Sequence, residues 1–139
     1  MEASIDTNVL ARFALKDIPD QFDAALALLD SPTDHFVVAD AVFIELAYVL
    51  ERHYNLGRGD VCEFIRSLLT IDSLVANSAV IIATCLAYEA HPRLSFADCY
   101  LAEHAQFMQV TPLFTFDKKL ATQHPATQLV PPAGHSKKG

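Results

Sequence analysis

Ala3-Ser4-Ile5-Asp6-Thr7-Asn8-Val9-Leu10-Ala11 is the stretch on which the fold turns. A short β-prone run ends in an acid, and an apolar helix-like segment comes directly after it. Asp6 therefore stands where a strand stops and a helix starts. In an open α/β sheet that position is the carboxyl edge of a strand, where ligand crevices lie. Asp is also among the best helix N-caps, and capping alone would account for Asp6. Three more acids in similar settings change that weighing.

Downstream, Val9, Leu10, Phe13 and Ala14 continue the first helix, and Pro19-Asp20 opens a second with Phe22, Ala25, Leu26 and Leu29 on one face. His35 to Ala39 is a β-branched and aromatic run of strand length, and Asp40 is expected to cap the next helix. Ala41 to His53 is apolar all round for its first ten residues apart from Glu45, the pattern of a buried helix. A turn at 55–59 leads to a helix through Val61, Phe64, Ile65, Leu68 and Leu69. Ser73 to Ala76 reads as a weak strand, and Asn77 as the cap of a helix ending near Glu89. Ser95 to Gln106 is helical again. Pro112 precedes a short strand over 113–116, Asp117 opens a helical turn, and 128–130 reads as a last edge strand. Strands separated by helices give an α/β fold with a mostly parallel sheet and helices on both faces.

The chain has 139 residues, 52% of them hydrophobic, enough for one domain with a sizeable core. The expected division is a single domain over 1–130 and a disordered tail over 131–139. No apolar run reaches the length of a membrane span, and Glu2 and Asp6 stand where a secretory signal would be basic. Cys62, Cys85 and Cys99 are scattered in apolar text without zinc-ligand spacing and read as reduced core residues of a cytoplasmic protein. The net charge of −7 argues against a binder that works by blanket phosphate neutralisation, but not against a nuclease whose acids load divalent cations. Phosphate-cradling glycine motifs and H-E-x-x-H are absent. Glu103-His104 reads as an exposed helix pair, and His35, His53, His91, His124 and His135 as solvated.

Four acids carry the chemistry. Glu45 is flanked at three and four positions by Ala41, Val42, Tyr48 and Val49, so it is expected to leave its helix among apolar groups. A buried carboxylate must take a proton or find a cation, either an Arg or Lys partner or a metal. Asp98 lies three residues after Ser95, a capping-box spacing, although Asp is short for that reach. Asp117 stands directly after Phe114-Thr115-Phe116 and could be a plain N-cap. Each acid alone has a structural explanation. Together, Asp6 and Asp117 end strands whose carboxyl ends share one edge. Four carboxylates gathered there would repel unless Mg²⁺ or Mn²⁺ compensated them.

With those residues in view, the sequence resembles the PIN-domain ribonucleases, in particular the VapC-type toxins of toxin–antitoxin pairs. The matching text is Ile5-Asp6-Thr7-Asn8-Val9-Leu10, Glu45-Leu46, Leu94-Ser95-Phe96-Ala97-Asp98 and Phe114-Thr115-Phe116-Asp117-Lys118-Lys119, in order and reaching to about Val130. The resemblance implies a PIN-like fold with a central sheet of about four or five strands. It places catalytic, metal-binding acids at Asp6, Glu45, Asp98 and Asp117, with Asn8 and Thr115 supporting them through hydrogen bonds. The activity implied is Mg²⁺-dependent endoribonucleolytic cleavage, with Mn²⁺ an alternative ion, leaving a 5′-phosphate and a 3′-hydroxyl. A cognate antitoxin that blocks the site and a homodimer are also implied. Lys118, Lys119 and Arg12 would contact the RNA backbone, with solvated surface charge as the alternative. Ala39-Asp40 and Pro112 depart from the family's usual text without touching an acid. A Mg²⁺-binding receiver-like or partner-binding module is the rival from another class, but Asp6-Thr7 lacks its paired acids and Asp6-Thr7-Asn8 lacks the D-x-D of a dehalogenase-type phosphatase. RNA and DNA substrates are not separated by these residues.

Overall fold

The computed structural model describes residues 1–134. Residues 135–139, with His135 and most of the expected tail, lie outside the described residues. The elements run β1 (Glu2–Ser4), α1 (Thr7–Leu15), α2 (Pro19–Leu29), β2 (His35–Val37), α3 (Asp40–Arg52), α4 (Arg58–Leu68), β3 (Leu74–Val75), α5 (Ser78–Ala90), α6 (Phe96–Phe107), β4 (Leu113–Thr115), α7 (Lys118–Gln123) and β5 (Thr127–Leu129).

Local chemistry explains where these elements begin. Asp6 accepts the Val9 amide at 3.3 Å and caps α1, which ends on Lys16 in the left-handed region at φ 54°. Pro19 opens α2, where its missing N–H would lack a partner in any case. In β2, Phe36 is buried between two exposed neighbours, as the two-residue period of a strand requires.

Every strand pairing is parallel. Ala3 stands opposite Phe36 and Phe36 opposite Leu74, giving the order β1-β2-β3, while Leu113 stands opposite Thr127 in a separate β4-β5 pair. The five expected strands are present, yet among the described residues no ladder joins β1 to β4. Strands of two or three residues offer few backbone bonds, so packing carries the continuity instead. One apolar cluster contains Ile5 beyond β1, Phe36 of β2, Leu46 and Leu50 of α3, and Leu120 of α7. Each such side chain contributes roughly 1.5–3 kcal/mol when fully buried. Helix α3 packs against α1, α4 and α6, and α5 packs most extensively against α6.

Several capping and burial expectations are corrected. Ala39, not Asp40, is the cap of α3. The Asp40 carboxylate is drawn to Asn77 Nδ2 at 3.0 Å and to the Tyr100 hydroxyl, tying the ends of β2 and β3 to α6. Asn77 stands at the cap position of α5 but spends its side chain on Asp40 rather than on its own helix. His124 is not solvated: it is 4% exposed, with Nε2 2.6 Å from Glu103 Oε2 and Nδ1 accepting the Ala126 amide. Glu103 is thereby a half-buried partner rather than half of an exposed pair. The three cysteines are free and buried, as expected. Among the described residues no helix is long and apolar enough to cross a membrane.

Candidate active site

The carboxyl end of β1 delivers Ile5 into the core, Asp6 to solvent and Thr7 back under cover. Thr7 is the first residue of α1, and its hydroxyl donates to Glu45 Oε1 at 2.6 Å. That bond ties the acid-bearing start of α1 to the second turn of α3. Glu45 itself is exposed, which corrects the expectation of a buried carboxylate. Helix α3 is covered on the side carrying Phe43, Leu46, Ala47 and Leu50, whereas Ala41, Glu45, Tyr48 and Arg52 lie on its open face. The apolar character of Ala41 and Tyr48 makes the open face look like a second core face in sequence. Thr7 escapes sequence reasoning, although its place directly after Asp6 is an available signal.

Asp98 is half-buried in the first turn of α6. Its backbone amide donates to Ser95 Oγ at 3.1 Å, so the forward half of a capping box is formed. The return bond is not made, and among the described residues no group donates a hydrogen bond to the Asp98 carboxylate. Asp117 is the cap of α7, with Oδ1 accepting the amides of Lys119 at 2.9 Å and Leu120 at 3.3 Å. Thr115 Oγ1 accepts the Asp117 amide at 2.9 Å and fixes that turn. Asn8 makes no side-chain hydrogen bond to any of the four acids. It lines instead an apolar cleft of about 270 Å³ between α1 and α2.

Glu45 and Asp98 line one cleft of about 550 Å³, with Lys119 on its rim. Asp6 and Asp117 are not among its lining residues; each lies within two positions of a residue that touches it or its acids, Thr7 and Lys119 respectively. The cleft also carries Arg52, Arg58 and Arg93, so with Lys119 it holds four of the chain's ten lysines and arginines. Arg58 is fixed there, donating to the carbonyls of Tyr88 and His91 and lying 4.0 Å from the Tyr88 ring centroid. Tyr88 in turn donates to Glu51 Oε1 at 2.5 Å; burial first, then this carboxylate, pushes its phenol well above the ordinary range. Arg12 is committed elsewhere, to Asp17 at 3.1 Å and the Tyr54 hydroxyl at 3.3 Å.

None of Asp6, Glu45, Asp98 and Asp117 forms an ion pair among the described residues. Salt-bridge partnership, the bland account of Glu45, is therefore not what the structure contains. As donors the four offer only hard carboxylate oxygens, which suit Mg²⁺ or Mn²⁺. Among the described residues no group of three or more Asp, Glu, His or Cys side chains is gathered to hold a metal ion. The chemistry of the donors suits such an ion, and their side chains are not gathered into one ligand set.

The sequence matches the family model of the PIN domain over residues 3–123. The chain belongs to the PIN-domain family. No curated protein matches it. Among solved structures, it is similar to VapBC2 from Rickettsia felis bound to a DNA fragment from their promoter, at 17% identity and a TM-score of 0.39 over 94% of this chain and 98% of that one. It is also similar to VapC20 of Mycobacterium tuberculosis, a sarcin–ricin loop cleaving toxin, at 15% identity and a TM-score of 0.41 over 88% of this chain and 94% of that one.

Proposed function

We propose that this PIN domain is a divalent-metal-dependent endoribonuclease and the toxin component of a toxin–antitoxin pair. One observation carries the nuclease reading. Two carboxylates without cationic partners, Glu45 and Asp98, share a cleft whose rim is basic, in a chain of net charge −7. Basic groups around an acidic centre are what a phosphodiester requires: the rim holds the backbone and the acids hold the cation that attends the scissile phosphate.

Asp6, Glu45, Asp98 and Asp117 would hold Mg²⁺ or Mn²⁺. When bound, the cation supplies an activated water and neutralises charge at the phosphate and the leaving oxygen. The chain's own residues set the stage. Thr7 fixes the Glu45 carboxylate, Thr115 fixes the turn that presents Asp117, and Arg93 and Lys119 line the cleft where they can hold phosphates flanking the reacting one. In-line attack leaves a 5′-phosphate and a 3′-hydroxyl. RNA as substrate, an antitoxin partner, a homodimer, a cytoplasmic setting and a single domain over 1–130 rest on the likeness of the four motifs to VapC-type toxins.

The test is cleavage of RNA by purified wild type, Asp6→Asn, Glu45→Gln and Asp98→Asn, each with Mg²⁺, with Mn²⁺ and with chelator. Each substitution should lower the rate on the order of 10²-fold or more, because a displaced ligand misplaces the reacting groups. Chelator should abolish wild-type cleavage. Near-wild-type rates in all three folded variants would overturn the assignment.

A further inference from the structure

Tyr48 is a large, exposed side chain of the cleft whose presence the acid chemistry does not explain. It lies three residues after Glu45 on the open face of α3, one turn away and roughly 4.5 Å along the helix axis. Tyr48 is 52% exposed and lines the cleft shared by Glu45 and Asp98. Among the described residues its hydroxyl makes no hydrogen bond. Its neighbours hold the ring rather than bury it: the Arg52 guanidinium lies 5.5 Å from the ring centroid, and the His53 ring meets it edge-on at 6.1 Å and 75°. Phe96, also in the cleft, is buried and packs against Tyr88, so it offers no face to a ligand.

We propose that Tyr48 is a base-stacking platform that positions the substrate strand, with the base beside the scissile phosphate lying on the Tyr48 ring. The proposal rests on the nuclease reading above and adds to it the side chain that positions the strand. Aromatic side chains bind single strands because every base has a π-face, whereas a base inside a duplex has both faces stacked and its edge paired. Arg52 and Arg93, on the same cleft, supply the charge that keeps the backbone in place. Spacing decides which base is read. Glu45 and Tyr48 are adjacent turns of one helix, so a strand whose phosphate faces Glu45 presents a neighbouring base to Tyr48.

The experiment measures binding by fluorescence anisotropy in chelator, where cleavage does not interfere. The probes are a short fluorescein-labelled single-stranded RNA, the same strand with single abasic positions, and a duplex of equal length. Tyr48→Ala should weaken single-strand binding about tenfold, the scale of one lost base stack. Tyr48→Phe should keep it, and duplex affinity should not move. One abasic position should weaken wild type by a similar factor and Tyr48→Ala no further. Tyr48 is exposed, so thermal melts of Tyr48→Ala should match wild type and exclude unfolding as the cause. The proposal is overturned if Tyr48→Ala binds the single strand as tightly as wild type, if it loses single strand and duplex alike, or if wild type binds neither probe. The cleavage assay on Asp98→Asn is scored separately, so loss of the stacking role leaves the nuclease reading standing. Intact stacking without metal-dependent cleavage would remove only the nuclease.

Discussion

Replacing Thr7 by Val tests whether Glu45 works as a held group or merely as a nearby charge. The substitution keeps the branched shape and removes the hydroxyl that donates to Glu45 Oε1 at 2.6 Å. Hydrogen bonds to charged groups are worth about 1.5–3 kcal/mol. Two features reduce that figure. Glu45 is exposed, so water replaces the lost donor, and Thr7 is 8% exposed, so a methyl in place of the hydroxyl leaves no buried polar atom unpaired. The expected stability loss is about 0.5–1 kcal/mol, a fall of roughly 2–5 °C in Tm for a domain of this size. Activity should fall further than stability. An untethered Glu45 populates other rotamers, and misplacement of that kind costs on the order of 10–10²-fold in rate. Thr7→Ser keeps the hydroxyl and should restore most of the rate. Single-turnover RNA cleavage at saturating Mg²⁺, alongside thermal melts, gives both readings. Wild-type cleavage by Thr7→Val, beside an inactive Glu45→Gln, would refute the reasoning, since Glu45 would then be positioned without Thr7.

The proposed role and the buried phenols and thiols give two more expected outcomes. Expression of wild type without a partner should arrest bacterial growth while Asp6→Asn, at equal soluble level, should not; equal growth would remove the toxin reading and leave the nuclease. Alkaline stability should decline between about pH 9 and 12. Burial first, then the Asp40 carboxylate, pushes Tyr100 up to about 12 from its ordinary 10.0, and burial pushes Cys99 up to about 12 from 9.0. Groups with a raised folded pKa contribute stability that is complete below their unfolded values and is lost as pH rises through the folded ones. Urea melts across that window should show the decline, and Tyr100→Phe should make it shallower; an unchanged slope in the variant would assign the decline elsewhere.

The order of elements was legible because short-range rules set it. Asp6, Ser95 and Asp117 cap the helices that their positions announce, and Pro19 opens α2. Burial was less legible, since it depends on which neighbour arrives. Helix α3 reads as apolar all round, yet among the described residues no element covers Ala41 and Tyr48. His124 sits at the end of α7, where a histidine is ordinarily wet, but Glu103 on α6 arrives to pair with it. Arg93, in a loop, and Thr7 stand out in no sequence pattern because neither belongs to a repeat; only the tertiary cleft gives them a role.

Capping and metal binding compete as explanations of the acids in sequence, and counting carboxylate oxygens shows that the two roles are compatible. Asp6 and Asp117 each cap a helix with Oδ1, which leaves the second oxygen of each without a protein donor among the described residues. Glu45 gives one oxygen to Thr7, and Asp98 gives none. Asp40 stands at the end of β2, the strand that pairs beside β1, and looks equally eligible by position. Both of its oxygens are taken, one by Asn77 and one by Tyr100. A cation would have to strip those bonds before Asp40 could serve it, and the buried Tyr100 hydroxyl left behind would carry a desolvation cost of about 1–3 kcal/mol. The acids suited to an ion are therefore those with an oxygen to spare. The four acids named by motif meet that condition and Asp40 does not, because a cap fixes where a carboxylate points while leaving one of its oxygens free.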